Sequence, residues 1–212
     1  MTGIDFAVTD VRSTPYAAVP TLSVALRASA PEGETIHSIA LRCQIRIEPQ
    51  RRRYTPEEES RLLELFGETP RWGDTLKPFL WTHVTAMVPG FASRTEFELA
   101  VPCSYDLDVA AGKYFHGLGD GEIPLLFLFS GTIFAQGDGR LRVTQVPWDR
   151  EARWRLPVRV WRELMDGYFP SSGWLRLHRD TLDTLLRYKA SHALATWDDV
   201  VAALLRGREE AA

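Results

Sequence analysis

The stretch "LRCQIRIEP", Leu41 to Pro49, decides the fold class. Leu41, Cys43, Ile45 and Ile47 alternate with Arg42, Gln44, Arg46 and Glu48. Successive side chains of a strand point to opposite faces, so this period of two marks a strand with one apolar face in a core and one polar face outside. "FELAVPC" repeats the pattern with Phe97, Leu99, Val101 and Cys103 inward, and "LSVALRA" and "LWTHVTAMV" are less regular versions. "IPLLFLFSGTIFA", Ile123 to Ala135, is apolar on both faces, as a central covered strand would be. "GRLRVTQV" follows "QGDG", whose Gly137, Asp138 and Gly139 supply the turn chemistry of a hairpin. No helical crossover separates most of these strands, so the pairing predicted is antiparallel. The fold class expected is α+β: an antiparallel β-sandwich with an inserted helix and a helical C-terminal part.

The inserted helix is read from "YTPEEESRLLELFG". Thr55 is placed as N-cap, Pro56 at the first helical position, Glu58 where a capping box needs it, and Gly67 at the end. "GETPRWGDTLKPF" then reads as a long loop. The pattern changes from Trp148. Val160, Trp161, Leu164, Met165 and Tyr168 recur at helical spacing before Pro170. Two further helices are expected, one over "RDTLDTLLRYKASHAL" and one over "TWDDVVAALLRG", the latter with Thr196 as N-cap and Val200, Val201, Leu204 and Leu205 as its buried stripe. The organisation predicted is a β-sandwich domain over residues 1–147, with its helix near 56–66, and a helical extension over 148–212 packed on the sandwich.

Composition narrows the function. The 212 residues are 45% apolar with a net charge of −3, which argues against a protein held to nucleic acid by phosphate contacts. The N-terminal "MTGIDFAVTDVRS" has no basic start and apolar core, and "IPLLFLF" is about a third of the length of a membrane-spanning helix. Cys43 and Cys103 lie in strand alternations without metal-motif spacing, so buried free thiols and a cytoplasmic location are expected.

Several motifs invite a catalytic reading. His178-Arg179-Asp180 matches the kinase catalytic loop, but Leu185 stands where a kinase needs asparagine, and the glycine-rich loop and metal-binding Asp-Phe-Gly are absent. The simpler expectation is that Asp180 caps a helix running from Thr181. His116, Asp120 and Glu122 within "YFHGLGDGEIP" form the one local set suggestive of a metal, although glycine-rich acidic loops commonly hold none. There is no Gly-x-Ser-x-Gly elbow, and "GLGDG" precedes a strand instead of following one. No catalytic residue is assigned and no cofactor is expected. Arg51, Arg52 and Arg53 are a charge cluster that Glu57 to Glu59 can neutralise.

The run "GWLRLHRDTLDTLLRYKASHALATWDDVVAALL", together with "FAVTDV", "PTLSVALRA", "IHSIALRCQIRIEP" and "WTHVTAMVPGF", resembles an uncharacterised domain-of-unknown-function bacterial family. Its members are encoded beside high-affinity nickel–iron uptake hydrogenases and their maturation factors. The resemblance spans essentially the whole chain and carries no catalytic residues. It implies an accessory role: a non-catalytic interaction protein supporting assembly, stability or partner linkage of the hydrogenase, with hydrogenase subunits or maturation factors as partners. The alternative is a metal- or redox-handling accessory enzyme using dispersed His, Asp and Cys residues. Trp and Arg are frequent interface anchors, so the partner surface is expected around Arg71, Trp72 and Trp81, with Arg51, Arg52 and Arg53. The opposing expectation places Trp72 and Trp81 in the core.

Overall fold

Residues 3–104, 106, 109–137, 140–170, 172 and 176–209 are described by a computed structural model. The chain forms two compact units, Met1–Gly173 and Trp174–Ala212. In the first, β1 (Asp5–Ser13), β2 (Thr21–Ser29) and β3 (Thr35–Ile47) are followed by α1 (Pro56–Arg61), α2 (Leu63–Phe66) and α3 (Trp72–Thr75). Then come β4 (Phe79–Val88), β5 (Arg94–Pro102), α4 (Ala110–Gly117), β6 (Glu122–Gly137), β7 (Arg140–Gln145), β8 (Glu151–Pro157) and α5 (Val158–Tyr168). The second unit contains α6 (Arg179–Ser191) and α7 (Trp197–Glu209).

The strands make two antiparallel sheets, as the alternation predicted. One is ordered β1-β2-β5; the other is β4-β3-β6-β7, with β8 also on β6. The inward residues of "LRCQIRIEP", Leu41, Cys43, Ile45 and Ile47, are all buried, and so are Leu99 and Val101 of β5 and Cys103 just after it. Phe6 of the small sheet stacks on Phe129 of the large one, with ring centroids 4.6 Å apart. This joins the two inner faces of the sandwich.

The apolar strand β6 is central, as expected. Its residues Leu125 to Gln136 lie beside the full length of β3, from Thr35↔Gln136 to Ile47↔Leu125. Its other edge is divided: β8 covers Glu122 to Leu128 and β7 covers Thr132 to Gly137. Gly131 sits where one partner gives way to the other. The Val146 amide donates to its carbonyl at 2.9 Å, and its φ of +138° lies in the region that favours glycine. A Cβ there would fall 2.1 Å from the Ala40 carbonyl oxygen. The Gly137-Asp138-Gly139 turn proper lies partly outside the described residues, but its flanks Gly137 and Arg140 are paired.

Differences from the sequence reading have local causes. The helix expected near 56–66 is broken at Leu62 into α1 and α2, with Gly67 closing α2 at φ +71°. The Thr55–Glu58 capping box is present, and so is the reciprocal Thr196–Asp199 pair at the start of α7. Asp180 does not cap its helix: α6 begins at Arg179 with His178 as N-cap, and the Asp180 side chain belongs to the first turn. There it complements the helix dipole, a smaller effect than capping. Of the stripe expected on α7, Val200 is buried while Val201, Leu204 and Leu205 are exposed. The sequence pattern had assigned no element to β8 or α4.

Gly131→Ala is expected to cost about 3 kcal/mol, since it combines a backbone clash with a disfavoured φ. Urea denaturation of the two proteins measures it, and a loss below about 1 kcal/mol would contradict the packing described.

Candidate functional site

The site is built where the chain leaves β3. Arg52 turns inward there, its side chain only 8% exposed, and Glu58 meets it at 3%. The Arg52 Nη2 donates to both Glu58 carboxylate oxygens, at 2.8 and 2.9 Å. Glu58 also accepts from the Thr55 amide at 3.1 Å and from the Gly119 amide at 2.7 Å. Buried ions require such full satisfaction. Arg52 in turn donates to the carbonyls of Arg53, Asp120 and Glu122, and its guanidinium lies 4.9 Å over the Tyr54 ring. One ion pair therefore ties the end of β3, the start of α1 and the loop before β6.

An aromatic cluster lies beside it. The Tyr54 and Tyr114 hydroxyls are hydrogen-bonded at 2.8 Å, and Tyr54 also donates to the Pro49 carbonyl at 2.7 Å. Burial pushes the Tyr54 phenol up to about 12 and raises that of Tyr114 further, aided there by the neighbouring Tyr54. Trp72 is buried in this cluster, edge-on to Tyr54 at 5.0 Å and to Phe66 at 6.0 Å. Its indole N–H donates to the Gly67 carbonyl at 2.9 Å. Trp72 thus anchors the segment after Gly67 inside the protein and presents no ring at the surface. Trp81 is half-buried, edge-on to Phe115 at 5.0 Å, and Arg71 is exposed.

On the outer side of the junction an open cavity of about 690 Å³ lies against β1, β8 and the start of α5. A second of about 570 Å³ adjoins it, sharing Arg51, Glu122 and Arg155. Six arginines line the two, against three acids. Arg51, Arg52 and Arg53 come from the segment after β3; Arg153 and Arg155 come from β8, and Arg159 from α5. Glu48 is buried at the base and accepts from Arg51 Nε at 3.0 Å and Arg153 Nε at 3.3 Å, which holds both guanidinium groups in place. Glu122 lies 3.7 Å from Arg155. Arg53 and Arg159 are exposed, and among the described residues neither has a carboxylate within ion-pair distance. Val11, Pro124, Leu125, Trp154 and Val160 give the first cavity an apolar lining.

The metal candidates are not brought together. Among the described residues no three His, Cys, Asp or Glu side chains gather as a cation site. His116 packs edge-on against Trp161 at 4.8 Å, and burial, with the nearby Arg162 charge, lowers its pKa. Asp120 is exposed, and Glu122 pairs with Arg155. The local spacing reflected the α4–β6 connection, whose backbone Arg52 and Glu58 hold. Both cysteines are free and buried, and burial pushes each thiol up to about 12.

The sequence reading found Arg51 to Arg53 but missed Arg153, Arg155 and Arg159. The signal was present in "EARWRLP", where Arg153 and Arg155 alternate with Ala152, Trp154 and Leu156. That alternation marks a half-buried strand, and the strand brings its arginines to those of the segment after β3.

The first unit is thus a two-sheet antiparallel sandwich with an ion-paired, aromatic-packed junction and an open arginine-lined groove. The chain belongs to the family of unknown function DUF6084, whose model matches residues 1–212. A comparison with curated protein sequences finds no match. Among solved structures, a β-glucosidase from Kluyveromyces marxianus aligns at 9% identity and a TM-score of 0.27 over 73% of this chain and 15% of that one. β-Glucosidase 3B from Thermotoga neapolitana, in complex with α-D-glucose, aligns at 13% and 0.26 over 73% and 17%. The chain therefore spans less than a fifth of these enzymes, and likenesses this weak carry no argument about activity.

Glu58→Gln is expected to destabilise by about 3 kcal/mol, because it leaves the buried Arg52 guanidinium without its counter-charge. Adding Arg52→Met should recover at least about 1 kcal/mol, since the uncompensated ion is gone, and the glutamine oxygen still accepts from one of the two amides that Glu58 serves. Simple additivity of the two losses in urea titrations would show that the pair does not act as a unit.

Proposed function

We propose that the protein is a non-catalytic accessory protein that binds a protein partner and supports the assembly, stability or partner linkage of a nickel–iron hydrogenase in the bacterial cytoplasm. The observation that carries the reading is the groove. Its arginines come from three separate elements; a buried carboxylate, Glu48, holds Arg51 and Arg153, while Arg53 and Arg159 are exposed, and an apolar lining lies beside them. Arginine and aromatic side chains of this kind anchor protein interfaces. The hydrogenase setting follows from the resemblance of the sequence to the bacterial family encoded beside such enzymes.

Physical observations weigh against the metal- or redox-handling alternative. Redox cysteines need thiolate character and access, whereas Cys43 and Cys103 are buried with thiols pushed up to about 12. His116, Asp120 and Glu122 are each engaged elsewhere or apart. No helix among the described residues is long and apolar enough to cross a membrane.

Affinity purification of the tagged protein from its native host, followed by mass spectrometry, tests the reading. Hydrogenase subunits or maturation factors are expected to be enriched. Their absence from the eluate under hydrogenase-expressing conditions would sink the proposal. Both thiols are expected to resist iodoacetamide at pH 8 in the folded protein and to react fully in denaturant. Rapid modification of a thiol in the folded protein would favour the redox alternative.

A further inference from the structure

We propose that the arginine-lined groove receives an extended acidic segment of a partner protein, with carboxylates on the arginine rim and an apolar side chain against Trp154 and Val160. The inference rests on the reading of the protein as a partner-binding accessory and specifies the chemistry of what it binds.

Charge supplies the first reason. The chain carries a net charge of −3, yet six arginines converge on these two adjoining cavities. Arg53 and Arg159 have no carboxylate within ion-pair distance among the described residues, so cationic capacity faces solvent uncompensated. Guanidinium groups match carboxylates in a planar, bidentate fashion. The start of α5 adds to this. Its N-cap is Pro157, which offers no side-chain acceptor, and its first turn holds no acid but does hold Arg159. A helix dipole opposes a cation at that end, and a bound carboxylate would relieve both the dipole and Arg159.

Shape and composition select among anionic ligands. The cavities are open and adjoin one another, and together they run from β1 and α5 to the segment after β3. Small-molecule sites enclose most of their ligand, so an open trough suits a chain laid along it. The walls also hold Asp10, Glu48 and Glu122. A continuous phosphate backbone would meet these acids at close spacing, which disfavours nucleic acid. A peptide can place acids beside arginines and neutral residues beside acids. The apolar lining gives such a peptide an anchor that nucleic acid and inorganic anions lack.

The experiment uses the full chain and a fluorescein-labelled peptide of glutamates with one central leucine, read by fluorescence anisotropy at low salt. Saturable binding is expected, weakening steeply as salt screens the charges. Arg53→Glu and Arg159→Glu should each weaken it about tenfold or more, because each reverses an exposed guanidinium on the rim. Neither residue has an ion-pair partner among the described residues, so folding should be unchanged by circular dichroism. Arg94→Glu makes the same charge change at an exposed residue lining neither cavity and should have little effect. No binding of the peptide, or equal weakening by all three substitutions, overturns the proposal. So does a single-stranded RNA, ATP or inorganic phosphate that binds the same arginines more tightly than the peptide. Affinity purification with the Arg53→Glu, Arg159→Glu protein separates the two levels of inference. If wild type and variant retain the same hydrogenase partner equally, the accessory reading stands and the groove assignment falls. If the peptide binds as described but wild type retains no partner, the groove stands and the accessory reading falls.

Discussion

The buried Arg52–Glu58 ion pair is the constraint on which this end of the molecule depends. Without it three chain segments would have no common partner: the exit from β3, the capping box of α1 and the loop between α4 and β6. Each brings polar backbone groups to the buried side chains of the pair. The carboxylate takes two partly buried amides and the guanidinium takes three carbonyls at the exposed margin, so the pair acts as a polar kernel that gathers irregular backbone. An apolar pair in its place would leave the Thr55 and Gly119 amides without their shared acceptor. The same pair positions Gly121 and Glu122 as one wall of the groove, which links a requirement of folding to the shape of the surface.

The groove is a product of register as much as of composition. Arg153 and Arg155 face outward because Leu156 is buried opposite Ile123 and Trp154, opposite Leu125, packs part of its ring on the core and leaves the rest to line the groove. A one-residue slip of β8 would exchange these sets, so the apolar demand of the core fixes where the arginines stand. Glu48 then orients two of them from beneath. It follows Ile47 at the end of the strand, where alternation would place it outside, and it is buried because Arg51 and Arg153 close over it.

The sandwich was legible in the sequence because its strands obey a period of two and one run, in β6, is apolar on both faces. The Thr55–Glu58 capping box was legible for a similar reason: its chemistry is local. What escaped depended on distant partners. Glu58 reads as a capping residue, and nothing in its neighbours announces the Gly119 amide sixty-one residues away. Trp72 sits in a segment punctuated by Gly and Pro, so its sequence context suggests a surface loop. The aromatic pocket that buries it is assembled from Tyr54, Phe66, Phe79 and Tyr114. Asp180 was misplaced by two residues because several polar residues in a row offer equivalent caps, and only backbone geometry chooses His178. The site was half legible: Arg51 to Arg53 are adjacent in sequence, whereas their counterparts on β8 and α5 arrive only through pairing.

The divided edge of β6 also bears on how the sheet opens. Its first half is zipped to β8, whose inward residues reach the core, while its second half is zipped to β7, where Leu141 and Val143 stand exposed. Because the two partners meet at Gly131 without overlapping, β7 can peel away while the β3–β6–β8 ladder stays hydrogen-bonded. The amides of β7 should therefore exchange with solvent through local fluctuation, and those at the centre of β3 and β6 only when the whole sandwich comes apart.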